Sequence, residues 1–91
     1  MSDNQGAGQS RLALYQFDMC PFCMQVRAAI KGLGAEVEIR DTMREPQHRQ
    51  ELIEGGGRAT VPCLRIDHSD GRTEWMYESG DIIDFLDERF G

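Results

Sequence analysis

The chain has 91 residues and a formal net charge of −6, which predicts one small domain and argues against nucleic acid or an anionic membrane as its partner. No apolar run is long enough to cross a bilayer, and the polar residues 1–10 lack a signal-peptide pattern and predict a disordered tail before a folded domain at 11–91. Three cysteines do not make a disulfide framework, so we expect a reducing, cytoplasmic location.

The first half of the folded region predicts two strands around a helix. Residues 11–17 are apolar on both parities, as in a buried strand, and after a loop at 18–20 the apolar residues recur at helical spacing as far as Leu33. Residues 35–40 alternate with period two, which predicts a half-exposed edge strand with Val37 and Ile39 facing inward.

The second half predicts a helix, a hairpin and a last helix. Pro46 opens a helix over 46–54 that three glycines end, and residues 60–67 and 72–77 predict two strands joined by a tight turn. Ser79 is the expected N-cap of the last helix. The order β-α-β-α-β-β-α predicts an α/β fold, a four-stranded mixed sheet flanked by three helices, with parallel crossovers between the first three strands and an antiparallel hairpin at one edge.

Two cysteines at the start of the first helix have the spacing of a redox dithiol. Cys20 precedes Pro21, whose fixed φ suits a first helical turn, so Cys20 lies where free backbone N–H groups favour a thiolate, the reactive form of the sulfur. Cys23 follows one turn later and can attack a mixed disulfide formed at Cys20. We expect the sulfur of Cys20 to meet solvent and that of Cys23 to be less exposed.

Two other interpretations of the cysteines remain. Half of a zinc site would need further ligands, and Cys63, His48 and His68 do not have ligand spacing. A structural disulfide, or a pair of buried thiols, is the other alternative for an isolated pair. Cys63 itself is predicted as a small buried apolar residue in the third strand.

Three motifs together resemble the glutaredoxins of the thioredoxin fold: Cys20-Pro21-Phe22-Cys23, Thr60-Val61-Pro62 and Glu78-Ser79-Gly80-Asp81. The resemblance implies an enzyme, a glutathione-dependent thiol–disulfide oxidoreductase, with Cys20 and Cys23 as the catalytic residues. It implies glutathione as reductant and co-substrate, no metal, glutathionylated or disulfide-containing proteins as partners, and a monomer.

The resemblance also implies a glutathione site. A cis Val61–Pro62 bond would turn the backbone groups of Val61 toward the cysteine of glutathione, while the start of the last helix would bind its γ-glutamyl end. Either Arg49 or Arg58 would pair with its glycine carboxylate, although both are equally expected as solvated surface groups. The implied glutathione-binding residues are Pro21, Phe22, Arg49, Arg58, Thr60, Val61, Pro62, Glu78, Ser79 and Asp81.

The chain departs from the glutaredoxin pattern near the dithiol and at the last helix. Phe17 occupies a loop position where many glutaredoxins have lysine, and Asp18 adds a negative charge that opposes thiolate formation at Cys20. The pair Glu78-Ser79 resembles the N-terminal domain of glutathione transferases more closely.

The sequence leaves three alternatives to a glutaredoxin open. One is a glutathione-transferase-like N-terminal module that binds glutathione with little dithiol activity. Another is a carrier of an iron–sulfur cluster bridged by two copies of Cys20, which the stiff Pro21 disfavours and which a brown colour would reveal. The third is a thioredoxin-type reductase, which thioredoxin reductase rather than glutathione would reduce.

Overall fold

The computed structural model describes residues 10–91, so the predicted tail lies outside the described residues except for Ser10. Seven elements follow in the predicted order, and the bounds differ from the predicted ones by a few residues, mainly at the strand ends. They are β1 (Arg11–Gln16), α1 (Pro21–Leu33), β2 (Glu38–Asp41), α2 (Pro46–Gly56), β3 (Cys63–Asp67), β4 (Thr73–Met76) and α3 (Ser79–Phe90).

The four strands form one mixed sheet in the order β2-β1-β3-β4, which confirms the predicted α/β fold of the thioredoxin-like class. Strand β1 runs parallel to β2 and antiparallel to β3, and β3 runs antiparallel to β4. The expected parallel crossover into the third strand is therefore wrong. Hydrophobic alternation indicates which faces of a strand are buried but not which way the strand runs, so the sequence could not show this reversal.

Both faces of β1 are buried, as its apolar parities predict. Leu12 and Leu14 face α1 and α3 in a core completed by Val26, Leu64, Ile66, Ile82 and Leu86. Ala13 and Tyr15 face α2 with Leu52 and Cys63. The sheet thus has α1 and α3 on one face and α2 on the other.

Strand β2 lies at the sheet edge as predicted, but only one of the two residues predicted to face inward does so. Val37, just before β2, packs against the core, whereas Ile39 in β2 is 44% exposed. The core on that face is built from residues of α1 and α3 over β1 and β3, and it does not extend as far as Ile39 at the outer strand.

Helix α2 is attached to the sheet largely by polar contacts, because Leu52 is its one fully buried side chain. The hydroxyl of Tyr15 donates to Glu51 Oε1 at 2.9 Å and accepts from Arg40 Nη1 at 2.6 Å. Burial raises the pKa of Tyr15, and hydrogen bonds from Arg65 and Arg40 act against that rise. These contacts explain how a helix with a weak apolar stripe still docks at a fixed position.

The end of α2 approaches β4 closely through two glycines. A Cβ built on Gly55 would overlap the indole of Trp75, and one built on Gly56 would overlap the hydroxyl of Tyr77. The helix therefore needs glycine at both positions to lie this near the strand. Within residues 10–91, no helix is both long and apolar enough to span a bilayer.

Candidate active site

The three predicted motifs lie together at one end of the sheet, which is the edge where β1 and β4 end and β3 begins. Because β3 is antiparallel to β1, its first residue, Cys63, lies opposite Tyr15 near the end of β1. Because β4 is antiparallel to β3, its last residue, Met76, lies opposite Leu64. The loop that leads to Cys20, the residues before Cys63 and the start of α3 therefore all leave the sheet at the same edge.

Cys20 is the N-cap of α1, and Pro21 occupies the first helical turn as predicted. The backbone N–H of Cys23 donates to the sulfur of Cys20 at 3.2 Å. A hydrogen bond from a helix-terminal N–H, together with the positive end of the helix dipole, stabilises negative charge on that sulfur. Cys20 is thus the side chain of this site best placed to act as a nucleophile.

Cys20 is more buried than the sequence predicts. Cys20 is 6% exposed and Cys23 is 0% exposed, so the expected order is confirmed but the expected solvent contact of Cys20 is small. The following residues Pro21 and Phe22 are exposed at the start of α1. The residues around Cys20 therefore cover most of its surface.

Cys23 is held as a thiol. Burial, and then its hydrogen bond with Cys20, raise the pKa of Cys23 to about 12, while the backbone of Phe17 and the charge of Arg27 act in the opposite direction. Its sulfur is therefore protonated at neutral pH.

The loop before Cys20 is held by Arg27, a residue that belongs to none of the predicted motifs. Arg27 reaches back from α1 and donates to the backbone oxygens of Phe17 at 3.3 Å and Asp18 at 3.2 Å, and also to the side-chain oxygen of Gln16. The one sequence feature that could have indicated this contact is the spacing of Arg27, which lies four residues after Cys23 and so on the same side of the helix.

A cavity of about 220 Å³ lies beside the same loop. Its exposed surface is almost entirely apolar, although charged residues contribute to its walls. It is lined by Phe17, Asp18, Met19, Asp41, Met43 and Arg44.

The peptide bond between Val61 and Pro62 is cis, which confirms the geometry implied by the resemblance. Pro62 is buried and Val61 is half-buried. Within residues 10–91, neither the N–H nor the C=O of Val61 forms a hydrogen bond with another backbone group. Both groups are therefore available to an extended peptide that pairs with this loop as a strand would.

The two candidate arginines lie in different settings. Arg58 is in the loop before Val61, where its guanidinium stacks over the ring of Tyr77 at 4.2 Å and its backbone oxygen accepts from the Tyr77 hydroxyl at 3.0 Å. Stacking leaves the edge of a guanidinium free to bind a carboxylate. Arg49, by contrast, lies on the exposed side of α2, and Thr60 is exposed beside Val61.

The start of α3 differs from the prediction by one residue. Glu78 is the N-cap, whereas Ser79 is the first helical residue and not the cap; no side-chain capping hydrogen bond is made there. Asp81 lies exposed in the first turn. The sequence pattern identifies the helix start but not the exact cap, because helix ends shift easily by a residue. The first N–H groups of α3 are thus not occupied by a capping side chain.

Cys63 is fully buried, as predicted, and packs with Ala13, Tyr15 and Leu52. Burial raises its pKa to about 12, with smaller opposing effects from Tyr77 and the backbone of Met76. Among the described residues, no three His, Cys, Asp or Glu side chains are arranged to hold a metal ion.

We expect alkaline pH to destabilise the fold through Cys23 and Cys63. Both have pKa values near 12 in the fold against a reference value of 9.0, so the folded state keeps protons that the unfolded state loses. Their contribution is complete below pH 9.0 and is lost as pH rises from there through about 12. We expect the free energy of unfolding, measured with urea under reducing conditions, to fall less across this pH range for Cys63→Ala than for the wild type. An equal fall in both proteins would show that Cys63 does not contribute.

Comparison with known proteins gives a family match over most of the chain. Residues 14–91 match the model of the glutathione S-transferase N-terminal domain. A search of curated proteins found no match.

Solved structures share this fold. A maleylacetoacetate isomerase from Anaeromyxobacter dehalogenans, with GSH bound in its active site, is 27% identical with a TM-score of 0.69, over 91% of this chain and 39% of that one. A trimeric glutathione transferase from Leishmania, TDR1, is 26% identical with a TM-score of 0.70, over 88% of this chain and 18% of that one. A glutathione transferase homologue from Drosophila mojavensis with bound glutathione has a TM-score of 0.71 at 21% identity, and the present chain spans 36% of its length.

Proposed function

Since the chain belongs to the family of glutathione S-transferase N-terminal domains, we propose that it binds glutathione and uses Cys20 for glutathione-dependent thiol–disulfide exchange. The observation that carries this proposal is the position of Cys20. Its sulfur accepts a hydrogen bond from a helix-terminal N–H, at the sheet edge where Val61 and the start of α3 also lie.

Two groups of residues are proposed to hold the cysteine and the γ-glutamyl parts of glutathione. The backbone N–H and C=O of Val61, which bond no other backbone group within residues 10–91, suit the cysteine residue of glutathione, held beside Pro62. The first turn of α3 suits its γ-glutamyl end, because free N–H groups bind the carboxylate and acidic side chains bind the ammonium group. The residues at this helix start are the N-cap Glu78, the first helical residue Ser79 and the acidic Asp81.

The remaining substrate contacts come from the predicted arginines and the dithiol loop. Arg58 is the better placed partner for the glycine carboxylate, since it lies in the loop that leads to Val61, while Arg49 stays a secondary candidate. Thr60 flanks Val61, and Pro21 and Phe22 present an exposed surface beside Cys20.

The proposed reaction with a glutathionylated protein needs one cysteine. The thiolate of Cys20 attacks the glutathione sulfur of the mixed disulfide, forms a Cys20–glutathione disulfide, and releases the protein thiolate, which takes a proton from water. The thiolate of a second glutathione then attacks the bound glutathione sulfur and releases oxidised glutathione and the thiolate of Cys20. The net reaction consumes one free glutathione: its sulfur and the glutathionyl sulfur of the substrate form oxidised glutathione, and the protein cysteine is reduced to a thiol.

A protein disulfide needs both cysteines in the proposed reaction. After Cys20 has formed a mixed disulfide with the substrate, Cys23 loses its proton to water, attacks the sulfur of Cys20 and releases the reduced protein, which leaves a Cys20–Cys23 disulfide. Two glutathione molecules then reduce this disulfide and become oxidised glutathione. Burial raises the pKa of the Cys23 thiol, which acts against the attack by Cys23.

A glutathione-transferase-like binding module is the second candidate, and the family match favours it directly. The solved relatives are also longer: the present sequence spans 39% of the length of the A. dehalogenans isomerase. In this alternative Cys20 contacts bound glutathione without exchanging disulfides.

One assay separates the two candidates. Purified protein should reduce a glutathionylated peptide when glutathione, glutathione reductase and NADPH are supplied, and should gain little when thioredoxin reductase replaces glutathione and its reductase. If it binds glutathione but leaves the peptide glutathionylated, the binding module is the correct function. Consumption of an aryl halide by glutathione, measured in parallel, tests for transferase activity.

A further inference from the structure

The acidic residue that the sequence places two positions before Cys20 is neutralised in the structure. Arg44 Nη2 lies 2.6 Å from Asp18 Oδ2. This contact joins the loop before Cys20 to the turn after β2, two segments that are distant in the sequence.

Arg44 is itself held in place for this contact. Its backbone N–H, and that of Met43, donate to Asp41 Oδ1 at 2.7 and 2.8 Å. Asp41 is the last residue of β2 and lies opposite Gln16, at the end of β1. The turn is therefore anchored to the same sheet edge as the dithiol loop.

The loop is also held from its other side by Arg27. That guanidinium bonds the backbone oxygens of Phe17 and Asp18, whereas Arg44 bonds the carboxylate of Asp18. One arginine thus restrains the loop backbone and the other restrains its charged side chain. The two contacts use different atoms and come from different elements, so their effects can be measured separately.

We propose that Arg27 and Arg44 are positioning residues for Cys20: together they fix the loop before the nucleophile, and Arg44 also cancels the negative charge of Asp18. The inference deepens the proposed function, because it concerns the same sulfur, but it applies to the reactivity of Cys20 with any electrophile. In this proposal the two arginines supply the positive charge of a loop that has Phe17 where the resemblance leads one to expect a lysine.

The charge effect of Arg44 is modest and sensitive to salt. The side chains of Arg44 and Asp18 are 72% and 57% exposed, so solvent and ions screen both charges. Loss of Arg44 leaves Asp18, two residues before Cys20, without its positive partner, and it removes the same charge from Asp41, whose Oδ2 lies 3.8 Å from Arg44 Nε. The added negative charge disfavours a thiolate at Cys20. A severalfold loss of reactivity is expected and not a complete one.

A double-mutant cycle of Arg44 and Asp18, made in the Cys23→Ser background, tests this charge effect. The measured quantity is the rate at which Cys20 reacts with iodoacetamide as a function of pH. Arg44→Met should lower the rate at neutral pH about threefold at low salt, and Asp18→Asn added to it should restore the rate. About 1 M NaCl should remove the difference. The charge effect is disproved if Asp18→Asn fails to rescue Arg44→Met or if the loss is the same in high salt.

Two replacements of Arg27 test the restraint of the backbone. Lysine keeps the charge but cannot reach all three acceptors at once, so Arg27→Lys should lower the alkylation rate of Cys20 about threefold without moving its pH profile. Arg27→Met removes charge and contacts and should lower the rate about tenfold and move the profile to higher pH. If Arg27→Lys reacts at the wild-type rate, only the charge of Arg27 matters and the positioning role is wrong.

The readout also separates this inference from the proposed function. Alkylation of Cys20 involves no glutathione, so the arginine effects can hold even if deglutathionylation is absent. Conversely, full deglutathionylating activity with no effect of either arginine would support the function and overturn the positioning roles.

Discussion

Replacement of Cys20 by serine should abolish both proposed reactions, with a loss of about a thousandfold or more, because a neutral hydroxyl does not replace the attacking thiolate. Replacement of Cys23 by serine should leave deglutathionylation intact, and even raise it, because the internal Cys20–Cys23 disulfide can no longer form. The same variant should lose the reduction of protein disulfides, for which the second thiol is required. Initial rates with a glutathionylated peptide and with an insulin-type disulfide substrate measure both effects.

Cys63→Ser is the matched control for these two variants. Cys63 is buried in the cluster under α2, so its loss should change stability and leave the ratio of the two activities unaltered. A Cys23→Ser variant as inactive as Cys20→Ser toward the glutathionylated peptide would contradict the one-cysteine route and favour a thioredoxin-like mechanism.

Replacement of Gly55 by alanine should cause a large loss of stability for so small a change. The added methyl group would overlap the indole of Trp75, whose ring is held against Tyr15 at a centroid distance of 5.6 Å and under the guanidinium of Arg65 at 5.2 Å. The ring cannot move without disturbing both contacts. We expect a loss of about 1–3 kcal/mol, the usual cost of overpacking, measured by urea unfolding.

The control for Gly55 is another helical glycine, Gly32 in α1, where an added Cβ would have no neighbour within 4 Å. Gly32→Ala should stabilise the protein by up to about 1 kcal/mol, because alanine favours the helix and restricts the unfolded chain. If both variants behave alike, the close approach of α2 to β4 does not determine the stability of the fold.

Local signals in the sequence predict the order and type of all seven elements. Pro21 and Pro46 open their helices, and the apolar parities of β1 indicate a strand covered on both faces. These features depend on neighbouring residues alone, so one sequence is enough to recognise them.

The features that the sequence does not predict depend on distant residues. The direction of β3, the exposure of Ile39 and the burial of Cys20 follow from how elements pack. The contacts of Arg27 and Arg44 with the loop at Phe17 and Asp18 belong to the same class, since surface arginines have no local pattern that identifies their partners.

The meeting of the dithiol loop, the Val61–Pro62 loop and the start of α3 at one sheet edge has a thermodynamic consequence. These segments come from the beginning, middle and end of the domain, so a ligand that touches all three acts as a removable cross-link between remote parts of the chain. Such a ligand binds the native state and not the unfolded one, and each tenfold increase of its concentration above Kd adds about 1.4 kcal/mol to the free energy of unfolding. The melting temperature should therefore rise with the ligand concentration, and this rise measures how far the site is occupied.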